Sequence, residues 1–201
     1  MPRIVRSIED AKALIGQEVG VSDWVVVDQE RIDKFAEATD DHQWIHTDTG
    51  RAAQDMPGGK TIAHGYLLIS LMPALMDTLV EMPTLQRAIN YGLNKVRFKN
   101  PVTAGSRVRL RSAVVQAQKR AGALQVILEN TLEIEGQPKP ACVAEVIALY
   151  FLGGLDHTAT DAREQYNAQV AKLTGWSFAV IGVPVLLFLM FTLWRLLAGL
   201  R

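Results

Sequence analysis

Residues 64–82, HGYLLISLMPALMDTLVEM, decide the fold, because as a helix they are apolar on almost every side. A helix without a polar face cannot turn one side to water, so it is expected to be buried. The apolar surface is made by Leu67, Leu68, Leu71, Met72, Leu75 and Met76. The sequence therefore predicts one central helix, over residues 64 to about 82, covered by the rest of the domain.

The residues after this helix change to a period of two, which indicates strands. In residues 123–134, ALQVILENTLEI, the apolar even positions are Leu124, Val126, Leu128, Leu132 and Ile134. The polar odd positions, expected to face water, are Gln125, Glu129, Thr131 and Glu133. Further strands are predicted, from Asn94 onward, in VRFKNPV (96–102), RVRLRSAVV (107–115) and CVAEVIALYF (142–151), with turns at Gly105, Gly122 and Gly136. These signals together predict an α+β domain, a curved antiparallel sheet around the buried helix.

Three shorter signals precede the central helix. Ser7 and Asp10 have the spacing of a capping box and predict a helix over residues 8–14. Residues 21–27 resemble a strand. Asp28 is a candidate N-cap for a helix that ends just before residue 40.

The segment after this second helix contains the residues that carry chemistry. Residues 39–71 read TDDHQWIHTDTGRAAQDMPGGKTIAHGYLLISL, with Asp41 five positions before His46 and with IAHG at the start of the buried helix. This pattern, together with NKVRFKNPVTAGSRVRL (94–110), resembles the MaoC-like (R)-specific enoyl-CoA hydratases and covers about residues 20–150. The family pattern is Gly-Asp-x-Asn-Pro-x-His, from which this chain departs at Asp40 and at Gln43-Trp44. Aspartate tolerates a left-handed backbone better than most residues, so the turn at Asp40 is expected to survive.

The resemblance implies a hot-dog fold, a homodimer, and an enzyme of fatty acid metabolism that adds water to trans-2-enoyl thioesters to give the (3R)-hydroxyacyl product. Asp41 would accept a proton from the attacking water, while His46 would hold that water and help to protonate the α-carbon. The division of these roles is left open. The backbone N–H of Gly65, at a helix N-terminus, would stabilise the enolate oxygen. The reaction needs no cofactor, and no convergent metal-ligand spacing is present in the sequence.

Three further residues are candidates for contact with the substrate, each with an ordinary structural alternative. Trp44 either lines the acyl tunnel or packs the loop. His64 either contacts substrate or caps and packs the helix. Ser70 either bonds near the substrate or bonds the carbonyl four residues before it.

Two other functions are open to a chain of this kind. A hot-dog thioesterase would direct water to the thioester carbonyl, and would need its carboxylate on or near the central helix. A scaffold that binds acyl thioesters without catalysis would have an idle Asp41 and His46. The position of this pair before the helix favours the hydratase.

The C-terminal region predicts a membrane anchor. Residues 176–194, WSFAVIGVPVLLFLMFTLW, are nineteen residues without a charge, bounded by tryptophans that would lie at the two interfaces of a bilayer. The alternative is a buried dimerisation helix. The predicted organisation is a hot-dog domain over 1–152, a linker over 153–172 and a transmembrane anchor over 173–201, with membrane contact through residues 173–200.

Charge and composition restrict the partners. The net charge is zero, which gives no electrostatic basis for nucleic-acid binding. The substrate is expected to be an acyl-CoA or an acyl carrier protein thioester. The first residues have no apolar h-region, so the catalytic domain is expected to be cytoplasmic and anchored to the membrane. The single cysteine, Cys142, lies in an apolar run and is expected to be a buried hydrophobe.

Overall fold

The computed structural model describes residues 1–153, which form five helices and eight strands. The helices are α1 (Ile8–Ala13), α2 (Gln29–Thr39), α3 (Trp44–Thr47), α4 (Thr49–Asp55) and α5 (Gly65–Met76). The strands are β1 (Arg3–Ile4), β2 (Glu18–Val21), β3 (Val25–Val27), β4 (Val80–Glu81), β5 (Leu85–Phe98), β6 (Ser106–Arg120), β7 (Ala123–Ile134) and β8 (Cys142–Leu152). The α+β class predicted from the sequence is confirmed.

The main sheet is antiparallel, with the strand order β2-β6-β7-β8-β5, and β3 also pairs with β6. Strands β6 and β7 form a hairpin in which Arg120 is paired with Ala123. The two residues between them have positive φ, 47° at Ala121 and 76° at Gly122. This combination is typical of the two-residue hairpin turn whose twist matches the strands. The predicted turn at Gly122 is confirmed.

The core lies between α5 and one face of the sheet. Helix α5 contacts β6, β7 and β8. Its buried side chains are Leu67, Leu68, Met72, Leu75 and Met76. The apolar even positions of β7 are buried as predicted, at Leu124, Val126, Leu128, Leu132 and Ile134. Cys142 is fully buried, also as predicted, and burial raises the pKa of its thiol to about 11.

The prediction that Gln125 faces water is wrong, since it is only 4% exposed. The side-chain amide of Gln118, its partner on β6, donates a hydrogen bond of 2.7 Å to the Gln125 side-chain oxygen. A buried amide is tolerated where it is hydrogen-bonded.

The strand predicted over residues 21–27 is two strands, β2 and β3, with a break between them. The break is at Ser22, which forms two hydrogen bonds with Leu110 on β6. Its backbone N–H donates to the Leu110 carbonyl at 2.8 Å, and its hydroxyl oxygen accepts from the Leu110 N–H at 2.9 Å. A side-chain oxygen thus takes the place of a backbone carbonyl, and the regular ladder stops there.

The central helix is shorter than predicted and ends at Met76. The Thr78 hydroxyl donates to the Leu75 carbonyl at 2.7 Å, and the Leu79 N–H donates to the Met76 carbonyl at 2.8 Å. These bonds satisfy carbonyls that a helix end leaves free. The apolar residues that follow enter β4, which pairs with β1.

Strand β5 begins at Leu85, well before the predicted start at Asn94. It pairs with β8 along its whole length and forms one edge of the sheet. Large apolar side chains of its first half are exposed, at Leu85, Ile89, Tyr91 and Leu93. Because these side chains are exposed, a search for buried apolar positions does not find this part of the strand.

The predicted linker and membrane anchor lie almost wholly in residues 154–201, outside the described residues. Within residues 1–153, none of the helices is both long enough and apolar enough to span a membrane.

Candidate active site

Asp41 is placed by the end of α2. Helix α2 begins after Asp28, whose side chain accepts from the Arg31 N–H as predicted for an N-cap. It ends at Asp40, which has a left-handed backbone with φ of 55° and ψ of 21°. The expectation that aspartate supports this turn in place of glycine is confirmed. The turn brings the chain directly to Asp41, an exposed carboxylate.

His46 lies on the short helix α3 and is 8% exposed. Its Nδ1 is 2.6 Å from the backbone carbonyl oxygen of Ile62. A carbonyl only accepts, so Nδ1 carries the proton and Nε2 is left with a free lone pair. Burial lowers the pKa of His46, and the nearby His64 lowers it further, against the raising effects of Ile62 and Asp41. His46 is therefore a neutral imidazole with an acceptor nitrogen.

His64 precedes α5 and joins the two catalytic candidates. It is 2% exposed, and its ring stacks on His46 with centroids 3.8 Å apart and planes inclined by 28°. Its Nε2 donates to the backbone carbonyl of Asp41 at 2.9 Å. The side chain makes no capping bond to α5. In the described part of the chain, His64 Nδ1 is the single buried side-chain nitrogen or oxygen without a hydrogen-bond partner.

One polar atom from each of Asp41, His46 and His64 lies within 4.8 Å of the others. Such a group could be considered as a metal site, but the ring geometry does not fit. A ligating imidazole holds the metal in its ring plane at about 2.0–2.1 Å. Two stacked rings inclined by 28° have planes that meet much farther away than that.

Gly65 begins α5, so its backbone N–H has no partner within the helix. The ring of Phe98, from the end of β5, packs directly against it. A Cβ atom at position 65 would be 2.7–2.9 Å from three carbons of that ring. Glycine allows this close approach without a shift of the Phe98 ring, and the helix N-terminus favours negative charge at the same place.

A cavity of about 390 Å³ lies between α5 and the sheet. Its volume is within the range of small-molecule pockets. The lining includes Ser70, Met72, Pro73, Leu128, Asn130 and Tyr150. The cavity follows the same helix that begins at Gly65, and Ser70 is about 7.5 Å farther along the helix axis at 1.5 Å per residue.

The remaining sequence candidates have defined positions. Trp44 begins α3, with the Arg51 guanidinium 4.0 Å from its ring centroid, and it does not line this cavity. Ser70 lines the cavity, while its hydroxyl donates to the Tyr66 carbonyl at 2.8 Å. A substrate contact by Trp44, His64 or Ser70 stays a prediction.

Sequence reasoning missed the contact of Phe98 with Gly65 and the place of Asn130 in the cavity. Phe98 is 49% exposed and gives no core signal. Asn130 did give a signal, because it is the polar residue among the apolar even positions of β7.

Residues 10–135 match the family model of the MaoC like domain. The chain therefore belongs to the MaoC-like dehydratase family. It is 48% identical over 149 residues to the 3-hydroxyacyl-thioester dehydratase Z of Mycobacterium tuberculosis, which covers 74% of this chain and 98% of that one. It is 45% identical over 147 residues to nodulation protein N of Rhizobium leguminosarum bv. viciae, over 71% of this chain and 90% of that one.

Solved structures give the same fold. The R-hydratase PhaJ1 from Pseudomonas aeruginosa matches with a TM-score of 0.57 and 21% identity, over 69% of this chain and 82% of that chain. The (R)-hydratase from A. caviae matches with a TM-score of 0.51 and 22% identity, over 64% of this chain and 95% of that chain. At these sequence identities the structural similarity is evidence for the fold alone. The predicted hot-dog arrangement is confirmed for the described domain.

Proposed function

We propose that this chain is a lyase that catalyses the reversible hydration of trans-2-enoyl thioesters to (3R)-3-hydroxyacyl thioesters. The observation that carries the proposal is the convergence of Asp41, His46 and His64 just before the N-terminus of α5. The similarity of the chain to a 3-hydroxyacyl-thioester dehydratase supports the same reaction.

In the hydration direction, one water molecule is divided between two carbons. Its oxygen bonds to the β-carbon, and a proton reaches the α-carbon. The Asp41 carboxylate accepts a proton from the attacking water, acting as general base. His46 Nε2 accepts the other O–H of that water and orients it. Because the His46 proton is held on Nδ1 by the Ile62 carbonyl, Nε2 has no proton to give at this stage. The proton that Asp41 has taken from the water is therefore the one delivered to the α-carbon, which returns the carboxylate to its starting state.

Negative charge accumulates on the thioester oxygen when the β-carbon is attacked. The backbone N–H of Gly65 is the proposed donor to this oxygen. The helix dipole adds to the stabilisation, and the apolar surroundings of α5 strengthen it. The Phe98 ring occupies the position that a side chain at residue 65 would take, so it packs beside the proposed donor.

The acyl chain is proposed to occupy the cavity beside α5. This cavity begins about one and a half helical turns beyond Gly65, on the same helix. A thioester carbonyl at Gly65 would therefore direct its chain along α5 into the cavity. The carrier is either coenzyme A or acyl carrier protein, and the proposal uses no cofactor.

A coupled assay distinguishes this function from the thioesterase and scaffold alternatives. Purified protein is incubated with crotonyl-CoA while enoyl absorbance and free thiol are followed together. A hydratase removes the absorbance without releasing thiol. Thiol release would identify a thioesterase, and the absence of both changes would leave only binding.

We also propose a homodimer formed through the face of β5. This edge strand exposes Leu85, Ile89, Tyr91 and Leu93, which are large apolar side chains. Exposed apolar surface along a strand edge is costly in a monomer and is typical of an interface. Sedimentation equilibrium should give twice the chain mass, and Leu85→Lys with Tyr91→Lys, at exposed positions outside the cavity lining, should give one chain mass.

Membrane anchoring through residues 173–200, with a cytoplasmic catalytic domain, is a further proposal that rests on the uncharged run 176–194. Deleting residues 173–201 should move the protein from the membrane fraction to the soluble fraction without loss of crotonyl-CoA hydration. A truncated protein that stays in the membrane fraction would contradict the anchor.

A further inference from the structure

The cavity beside α5 contains a buried amide that hydration chemistry does not use. Asn130 lies on β7, is 2% exposed, and lines the cavity together with Leu128. It stands at an even position of β7, where the neighbouring even residues are apolar and face α5. A leucine would satisfy the packing pattern here, so the amide is the feature that requires an explanation.

The orientation of this amide is fixed by Ser112 on β6. The buried Ser112 hydroxyl donates to Asn130 Oδ1 at 2.7 Å. The NH2 group is consequently turned towards α5, where Nδ2 is 3.9 Å from the Met72 sulfur. A thioether is a weak acceptor, and an amide nitrogen carries two N–H groups. Asn130 therefore has donor capacity left on the side of the cavity.

A pure hydrocarbon chain would leave the second N–H of Asn130, the one not directed at the Met72 sulfur, facing carbon atoms. Placing a buried amide against apolar atoms without a hydrogen bond is unfavourable, because the group loses its bonds to water and gains none. An oxygen atom on the chain would accept a hydrogen bond from the amide and so compensate for the lost hydrogen bonds to water. The cavity thus favours a chain that carries an acceptor over one that does not.

We propose that Asn130 donates a hydrogen bond to an oxygen atom within the acyl chain, so that the preferred substrates are enoyl thioesters bearing a hydroxyl, carbonyl or ether oxygen partway along the chain. This inference rests on the proposed function, because it takes the cavity to be the acyl pocket. Met72, opposite Asn130, is about 10 Å along the axis of α5 from Gly65. The oxygen is therefore separated from the reacting carbons by several methylene groups.

Tyr150 lines the same cavity and adds a second polar group. Burial, together with the nearby Asp77 carboxylate, raises the pKa of Tyr150 to about 12. Its phenol is protonated at neutral pH and is a donor as well as an acceptor. A chain that bears oxygen meets two neutral partners in this cavity.

The test compares two enoyl-CoAs of equal chain length, one with a hydrocarbon chain and one with a single oxygen atom in the chain. The position of the oxygen is moved by one carbon from each pair to the next. For the wild type, kcat/KM of the oxygen-bearing substrate divided by kcat/KM of the hydrocarbon should reach a maximum of about tenfold at one position of the oxygen. A ratio that stays flat, or favours the hydrocarbon at every position, would overturn the inference. This series needs no variant and so does not depend on whether a substituted protein folds.

Two variants locate the effect. Asn130→Leu should abolish the maximum. Gln125→Leu removes a buried amide from the same strand outside the cavity lining, and should keep the maximum. A maximum that persists in folded Asn130→Leu would overturn the role of Asn130.

Crotonyl-CoA has a chain that is too short to reach Asn130. Its hydration by the wild type therefore tests the proposed function without testing the proposed role of Asn130. If crotonyl-CoA is hydrated but no oxygen preference is found, only the inference about Asn130 fails. If neither crotonyl-CoA nor any longer enoyl-CoA of the series is hydrated, the proposed function fails.

Discussion

The imidazole rings of His46 and His64 are stacked with their centroids 3.8 Å apart, and each ring is bonded to a backbone carbonyl. His46 donates to Ile62, and His64 donates to Asp41. The pair links α3 to the start of α5. In the proposed mechanism, His46 would bind the water, and His64 would be a positioning residue that holds the backbone of the proposed base, Asp41.

The first prediction concerns the base. Asp41→Asn keeps the size of the side chain but cannot accept the water proton, so kcat for hydration should fall by about two to four orders of magnitude. Steady-state assay with crotonyl-CoA measures the fall. Asp23→Asn, an exposed residue away from the site, is the matched control. Near-normal turnover by a folded Asp41→Asn protein would remove Asp41 from the mechanism.

The second prediction concerns pH. Hydration needs His46 neutral, so that Nε2 accepts from water. Burial, and then His64, lower the pKa of His46 below the ordinary 6.5. The midpoint of protonation, and of the accompanying loss of activity, should therefore lie below pH 6.5. The pH profile of kcat/KM, measured with controls for stability, tests this. An acidic limb with its midpoint above 6.5 would contradict a neutral, buried His46.

The third prediction separates the hydrogen bond of His64 from its bulk. His64→Gln keeps an N–H donor for the Asp41 carbonyl, whereas His64→Leu keeps bulk without a donor. We expect His64→Leu to lose about fivefold more kcat than His64→Gln, with KM little changed, because a neutral hydrogen bond contributes about 1 kcal/mol. Both variants should also move the acidic limb upward, since the second imidazole no longer lowers the pKa of His46. Equal kcat values for the two variants would show that the donor does not matter.

The fourth prediction concerns the contact of Gly65 with Phe98. A methyl group at position 65 would lie 2.7–2.9 Å from the Phe98 ring. Gly65→Ala should lower the free energy of unfolding by about 1–3 kcal/mol, as overpacking does, and should reduce kcat/KM. Urea unfolding gives the stability. Adding Phe98→Ala should recover most of the lost stability, because the two substitutions share one contact. Simple additivity of the two single variants would show that the contact is not the cause.

Much of the fold could be predicted from patterns that burial imposes. The apolar even positions of β7 and the apolar surface of α5 face each other across the core, so both periods are visible in the sequence. The caps at Ser7 and Asp28 could also be predicted, because their hydrogen bonds are local. The break at Ser22 and the first half of β5 depend on pairing with distant strands, and no local pattern reports such pairing.

The candidate site divides in the same way. Asp41 and His46 were recognisable because their spacing is fixed within one loop. The roles of Ile62 and Phe98 were not, since they follow from a backbone carbonyl and from the end of a strand folded onto α5. The stacking of His64 on His46 joins positions eighteen residues apart and has no signature in the sequence.

The most direct test of the account follows purified wild-type protein with crotonyl-CoA and determines the configuration of the product. An (R)-specific hydratase should show loss of enoyl absorbance, no release of thiol, and (3R)-3-hydroxybutyryl-CoA as the product. Formation of the (3S) product, or release of free coenzyme A in place of hydration, would contradict it.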